Sequence, residues 1–475
     1  MGAPRLRVGG AEPDGGGDRY RAGVVPALPV PSAERQRTAG VSRNLEPGGN
    51  PMQPARLDLA PVVALLGSVA IMVLGNGLLG TLLGVRAVLE GFSPGVIGLM
   101  MSGYFVGYIA GAWHGPHLIA RAGHIRTFAA CAAIAAATTL THPILIHETV
   151  WTGLRFVNGY CVAGMIMIAE SWLNGHAVKA TRGRLLTVYG SLMMASWGAS
   201  QFLLAAAPAS DFILFSMASM LLSLCLVPLT LARTTSHPSE VTPVRMDLRR
   251  LYSISPLGAV GVFVSGLTMT AFWSMSPAYA RGVDLRGLEI SFYMAAAMFG
   301  GLVLHWPIGW LSDRYDRRTV IVAGALAATV SAVLLAAFGG NNLAWLMPIG
   351  FVLGGVGVTS YSLCVAHSND FFEERDLVPL ASSLIMLYGV GGALGPLLAG
   401  QAMQWVGPAG LFAYVAIMQA VFFGFGLYRM QQRPALPSEL QEKFVAMPEA
   451  AMPTSHVAVQ MDPRSGDAPA AGETR

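Results

Sequence analysis

The sequence predicts an all-α integral membrane protein with 12 transmembrane helices in two pseudo-symmetric six-helix bundles. Three observations point there. The 475 residues are 53% hydrophobic and 12% charged, with mean hydropathy +0.54, which soluble domains do not show. Twelve apolar stretches each approach the roughly 20 residues that cross a hydrocarbon core about 30 Å thick. Basic residues concentrate in alternate loops, as the topology rule for membrane proteins requires.

The stretches run approximately 59–83, 94–115, 127–147, 149–173, 185–207, 211–232, 254–280, 289–312, 319–339, 342–366, 378–402 and 408–428. Their spacing leaves no room for a folded domain outside the membrane. Loops after the even-numbered stretches hold thirteen Lys and Arg, including Arg121, Arg182, Arg184, Arg314, Arg317 and Arg318; odd-numbered loops hold three, Arg86, Arg281 and Arg286. The even loops and both termini are therefore expected on the cytoplasmic side. Residues 1–55, rich in Gly, Pro and Arg, and 430–475 carry no core and are expected to be disordered. Residues 1–55 are not expected to be a signal peptide, because they lack an apolar core of about 7–15 residues. Met52 offers an alternative start. Residues 56–232 are expected to form a first bundle, 233–253 a cytoplasmic linker and 254–429 a second bundle. Cys131, Cys161, Cys225 and Cys364 fall in four different stretches and read as small core hydrophobes.

The halves look duplicated. Residues 309–318, GWLSDRYDRR, hold five charges in ten residues, and they overlie PHLIARAGHI at 116–125 with an offset of 193. GALGPLLAG in the eleventh stretch overlies WGASQFLLA in the fifth at an offset of 195, with Gly395 over Ser200.

At GWLSDRYDRR the chain resembles the major facilitator superfamily of secondary transporters, over residues 57 to 430. Gly309, Asp313, Arg314, Arg317 and Arg318 match that family's loop signature, with Asp316 at a usual glycine. Arg155, Asn158 and Gly159 match a second motif, in the fourth helix. ESWLN (170–174), RGR (182–184) and YSLCVAHSND (361–370) resemble a bacterial branch with undefined substrates. The resemblance implies a bacterial inner-membrane carrier that moves a small molecule by alternating access, coupled to protons, as a monomer. A metabolite or drug exporter of the same fold is the alternative; Ser200 and Gln201, where many exporters carry Gly-Pro, weigh against it.

Arginines at a cytoplasmic reversal are retained by anionic headgroups, at about 1 kcal/mol each. The acid needs another reason. Asp313 is expected to dock on the free N–H groups that open the fifth helix, near Arg182 and Arg184, when the cavity opens outward; the plainer reading is an interfacial anchor. Its counterpart is Ala120, so the mirror latch differs, with Arg121 and Arg126 facing Glu373, Glu374 and Asp376.

Two strong charges, Arg155 and Glu170, lie within the fourth stretch, roughly 22 Å apart along a helix and so unable to pair. Arg155 either snorkels outward or serves proton coupling or an anionic substrate, as the resemblance implies. Glu170 either takes a proton or pairs with Arg182 or Arg184, and the pairing is expected. His305 titrates in a range suited to coupling, although a lone membrane histidine is more often hydrogen-bonded between helices. Asn76, His114, Trp273, Ser360, Tyr361 and Ser362 are the polar candidates for the cavity; Trp273 and Trp306 line it or pack in the core. Gly103, Gly107, Gly111 and Gly115 form a smooth face expected to cross Gly389, Gly391, Gly392 and Gly395.

HETVW at 147–151 lacks the second histidine of a zinc protease motif, and neither a phosphate loop nor a nucleophile elbow occurs. No enzyme activity, cofactor, metal or nucleic-acid partner is expected. The partners are a small-molecule substrate, the bilayer and protons.

Overall fold

A computed structural model describes residues 2, 59–176, 182–231, 247–340, 342–372 and 377–432. The extensions at 1–55 and 433–475 and most of the 233–253 linker lie outside these residues. The first half contains α1 (Leu59–Leu89), α2 (Pro94–Ala122), α3 (His124–Thr141), α4 (Glu148–His176), α5 (Arg182–Leu203), α6 (Ile213–Leu224) and α7 (Leu226–Leu231). After α8 (Leu248–Ile254), the second half contains α9 (Pro256–Gly282), α10 (Leu288–Arg314), α11 (Arg317–Phe338), α12 (Leu343–Asn369), α13 (Leu377–Val406) and α14 (Gly410–Gln432).

Each expected stretch is occupied by helix. Ten segments, α6 and α7 counting as one, are long and apolar enough to cross a membrane. The other two are α3 and α5, which carry His124 and Arg126, and Arg182 and Arg184, in their first turns. They stand where the third and fifth stretches predict, α3 packed on α4 and α6, and α5 on α1 and α10.

Prolines account for two departures from the expected spans. The third stops at Thr141 instead of 147, because Pro143 ends its hydrogen-bond ladder. The sixth breaks at Cys225 because the Pro228 ring would strike the carbonyl four residues earlier. The linker also ends in an unexpected helix, α8, capped by Asp247, whose carboxylate accepts from the Arg250 N–H at 2.9 Å.

The duplication extends to atomic contacts. A Cβ at Gly107 would overlap the Phe156 carbonyl oxygen, and a Cβ at Gly300 would overlap that of Phe351. Gly159 meets the Tyr104 carbonyl in the same way, and Gly354 meets that of Ala297. The paired positions differ by 193 on α2 and α10 and by 195 on α4 and α12. The same registers relate Gly77, which faces the Ser200 hydroxyl, to Thr270, whose hydroxyl faces Gly395. Turns repeat as well: Gly91 at φ 79° corresponds to Asp284 at φ 67°, a left-handed conformation that Asp tolerates better than most residues.

One expected packing is corrected. The Gly103, Gly107, Gly111 and Gly115 face lies along α4, against Thr152, Phe156, Tyr160 and Met167, and not against α13. A different face of α2 meets α13. Gly98 abuts the Pro396 carbonyl and Gly400 that of Pro94, while Phe105 and Ile109 cover Gly392 and Gly389. Gly391 and Gly395 instead bring α13 onto the α9 backbone. Parallel neighbours within one half thus take the tightest seam.

Gly107→Leu and Gly300→Leu should each lower the unfolding temperature in detergent, as overpacking by about 1–3 kcal/mol does. Gly153→Leu, where an added Cβ meets nothing within 4 Å, should leave it unchanged. Equal behaviour of all three variants would contradict the packing.

Candidate functional site

Helices α1, α2, α4 and α5 of the first half and α9 of the second enclose a pocket of about 50 Å³. Asn76, Tyr104, Arg155, Trp197 and Trp273 supply its chemistry. Gly77 permits this enclosure: Ser200 and Trp197 occupy the space a side chain there would need. Gly159 does the same for α4, drawing it onto the Tyr104 backbone and so bringing the Tyr104 ring beneath Arg155.

Arg155 does not snorkel; it is 5% exposed. Its guanidinium carbon sits 4.3 Å from the centre of the Tyr104 ring, and Nη1 donates to Asn158 Oδ1 at 3.4 Å. No ion pair to Arg155 occurs among the described residues, and its Nε has no hydrogen-bond partner. A desolvated cation over an aromatic face gains about 2 kcal/mol, while burying a charge costs several. The ring alone therefore leaves the cation under-compensated. Around it, Asn76 Nδ2 donates to the Tyr104 hydroxyl at 3.3 Å, while Asn76 Oδ1 and Trp273 Nε1 are buried without partners. The Trp197 and Trp273 rings, 4.9 Å apart, form an apolar wall.

Beside the pocket, Gln201 joins three helices. Its Oε1 accepts from Thr81 on α1 at 2.7 Å and its carbonyl from Ser291 on α10 at 2.7 Å. The Ser-Gln departure from the exporter pattern is thus a hydrogen-bonded seam between halves. Ser291 stands 193 residues from Gly98, and Gln201 stands 195 from Pro396, so the mirror seam is the glycine contact of α2 with α13.

Other expected residues lie elsewhere. Glu170 is fully buried and its Oε1 accepts from the Tyr189 hydroxyl at 3.2 Å. The expected pairing with Arg184 is not formed: Arg184 is exposed to solvent or lipid and makes no ion pair among the described residues. The side chain of Arg182 lies outside the described residues, as do Glu373, Glu374 and Asp376; Arg121 is exposed. His114 lies outside this pocket's lining. It is exposed near the far end of α2, where its Nδ1 bonds the Tyr160 hydroxyl. Ser360, Tyr361 and Ser362 are buried on α12 outside the pocket lining, with the Tyr361 ring 5.2 Å from that of Tyr388. His305 is half-buried on α10, also outside the lining, and neighbouring Trp306, 77% exposed, faces outward instead of lining a cavity.

The charged loop folds into its own half. Arg317, 1% exposed, donates through Nη1 to both carboxylate oxygens of Asp370 at 2.6 Å and through Nε to Ser312 at 3.0 Å. Asp313 Oδ1 stands 3.7 Å from Arg317 Nη2, and Gly309 is buried one turn before it. Arg314 lies over the Trp310 ring at 4.1 Å. Asp316 caps α11 by accepting from the Arg318 N–H and pairs with the Arg318 side chain at 3.1 Å. This explains its presence at a glycine position. The matching Gly123 holds φ 83°, whereas Asp316 holds an ordinary φ of −54° and contributes a cap. Sequence reasoning missed Asp370, although it closes the quoted string YSLCVAHSND; it also missed Tyr104, Thr81 and Trp197, which carry no spacing signal.

A polar pocket lined by both of two repeated six-helix halves is the arrangement that many secondary transporters share. A family model described as Major Facilitator Superfamily matches residues 258–459. An uncharacterized MFS-type transporter of Enterobacter sp. (strain 638) is 26% identical over 377 residues, covering 79% of this chain and 97% of its own. The uncharacterized MFS-type transporter YcaD of Escherichia coli O6:K15:H31 (strain 536 / UPEC) is 27% identical over 367 residues, covering 76% and 94%. Two solved structures share the fold. The nucleoside transporter NupG matches with TM-score 0.65 at 13% identity, over 78% of this chain and 98% of its own. A bacterial homolog of the human lysosomal transporter Spinster, inward-facing and occupied, matches with TM-score 0.62 at 14% identity, over 79% and 98%. The second half of the chain thus matches the Major Facilitator Superfamily model, and over most of its length the chain is similar to MFS-type membrane transporters.

Removing one partner of a buried ion pair strands the other charge, so Arg317→Ala or Asp370→Asn should cost about 3–5 kcal/mol in thermal unfolding. Replacing both by apolar residues should recover most of the loss. If either single variant melts like the parent, Arg317 and Asp370 do not hold α11 to α12.

Proposed function

We propose that the protein is a monomeric, proton-coupled carrier that moves a small solute across the bacterial inner membrane by alternating access. The observation that carries this reading is Arg155, a buried cation without an ion pair among the described residues, in a pocket lined from both halves. A carrier binds its solute between halves that rock about the site. The seams suit such motion. On the side of loops 90–93, 204–212, 283–287 and 407–409, α1 meets α9 at Gly84, α2 meets α13 at Gly98, and α5 meets α10 at Gln201.

Glu170 supports proton coupling. It is an acid buried within a membrane-crossing helix and bonded to Tyr189, a placement that favours carboxyls able to exchange a proton during transport. Asp313 completes the arrangement at the other end of the bundle, as a reserve partner for Arg317 and for the start of α5. The arginine count supports cytoplasmic termini and even-numbered loops.

In proteoliposomes, solute preloaded inside should accelerate uptake of its labelled form, which a channel does not do. Glu170→Gln should abolish accumulation driven by a proton gradient while that exchange continues; unchanged accumulation would remove Glu170 from coupling. For topology, a cysteine at Arg286 should react with an impermeant maleimide in intact cells, and one at Arg121 only after permeabilisation. The reverse pattern would invert the orientation.

A further inference from the structure

The unmet groups of the central pocket specify a ligand. Arg155 offers a positive charge and a free Nε–H, Trp273 a free indole N–H, and Asn76 a free acceptor in Oδ1. The Tyr104 hydroxyl accepts from Asn76 and keeps its own proton to donate. Asn76, Arg155 and Trp273 are 9%, 5% and 6% exposed, so bulk water does not meet their needs cheaply. An oxyanion answers the guanidinium and the N–H donors together. It leaves Asn76 Oδ1, which needs a donor from the same ligand.

That donor is neutral. None of the side chains lining the pocket is acidic, so an ammonium would sit beside the Arg155 cation with nothing to neutralise it. A hydroxyl meets the need without that repulsion. The Trp197 and Trp273 rings confront the remaining surface of the ligand with an apolar wall, and the small cavity favours a compact body.

We infer that the pocket binds a small organic carboxylate bearing a neutral hydroxyl, with the carboxylate on Arg155 and the hydroxyl on Asn76, and that it discriminates against amines. This rests on the carrier reading only for the step from binding to transport.

The test uses purified full-length protein in detergent at constant ionic strength, followed by unfolding temperature and by tryptophan fluorescence, which the Trp197 and Trp273 pair should report. Lactate, lactamide and 1-amino-2-propanol share a hydroxylated three-carbon skeleton and differ in head-group charge; 2-hydroxycarboxylates of two to six carbons extend the anionic arm. At least one carboxylate should raise the unfolding temperature saturably, while lactamide and the amine do not. Arg155→Gln should weaken that carboxylate at least tenfold. Trp273→Phe, which removes one N–H and little volume, should weaken it several-fold. Asn76→Asp, which supplies an internal anion to Arg155, should abolish binding, so a folding defect in one variant leaves two others to judge by. The inference is overturned if no carboxylate binds, if lactamide binds as well as lactate, or if binding survives both Arg155→Gln and Asn76→Asp. Exchange of an uncharged solute in proteoliposomes would overturn it and leave the carrier reading standing. Carboxylate binding at Arg155 without exchange would sustain it and overturn the carrier reading.

Discussion

Lipid tails satisfy an apolar side chain as well as another helix does, so helices in a bilayer hold together by packing close enough for backbones to touch. The remainder of this structure depends on that condition. Gly107 against Phe156 and Gly159 against Tyr104 fix α4 on α2, and their counterparts Gly300 and Gly354 fix α12 on α10 in the same registers. These contacts set each half as a stiff body. They also determine the chemistry between the halves, since the Tyr104 ring reaches Arg155 only because Gly159 lets the two backbones meet.

Charge is handled in two ways. At one end of the second half, Arg317 is buried with Asp370 and Ser312, with exposed Asp313 beside it, a group that satisfies itself within three neighbouring helices. In the pocket, Arg155 has an aromatic face and a long hydrogen bond but no anion among the described residues. The first arrangement holds helices in place. The second keeps an electrostatic deficit, and on the proposed carrier reading an incoming solute relieves it, so that binding to one conformation shifts the equilibrium.

The fold was largely legible in the sequence, because twelve apolar stretches and a partition of arginines are one-dimensional signals. The duplication was visible too, in the offsets of 193 and 195. Within the site the limits are physical. Arg155 stood out since a charge inside an apolar stretch is costly, and Asn158 and Gly159 came with it by resemblance. Tyr104 and Trp197 did not stand out, because an aromatic residue in a membrane helix has the same appearance whether it meets lipid, core or solute. The glycine row of α2 was legible as a close-packing face, yet its partner was not: more than one smooth helix face was available, and only the three-dimensional arrangement selects α4 over α13. Asp370 escaped notice at a helix end, where an acid usually means only water.

The two seams that join the halves around Gly98 and Ser291 are related by the repeat but differ in kind. At Gly98 the contact is made by backbone against backbone, with nothing for water to replace. At Ser291 it is made by hydrogen bonds through Gln201, and water entering there restores each bond as it breaks, at a net difference of about 1 kcal/mol per bond. Parting the first surface forfeits dispersion contacts outright. A pseudo-symmetric fold built this way has one soft edge and one stiff edge, so the carrier motion proposed above would be a skewed swing and not an even parting of two equal jaws.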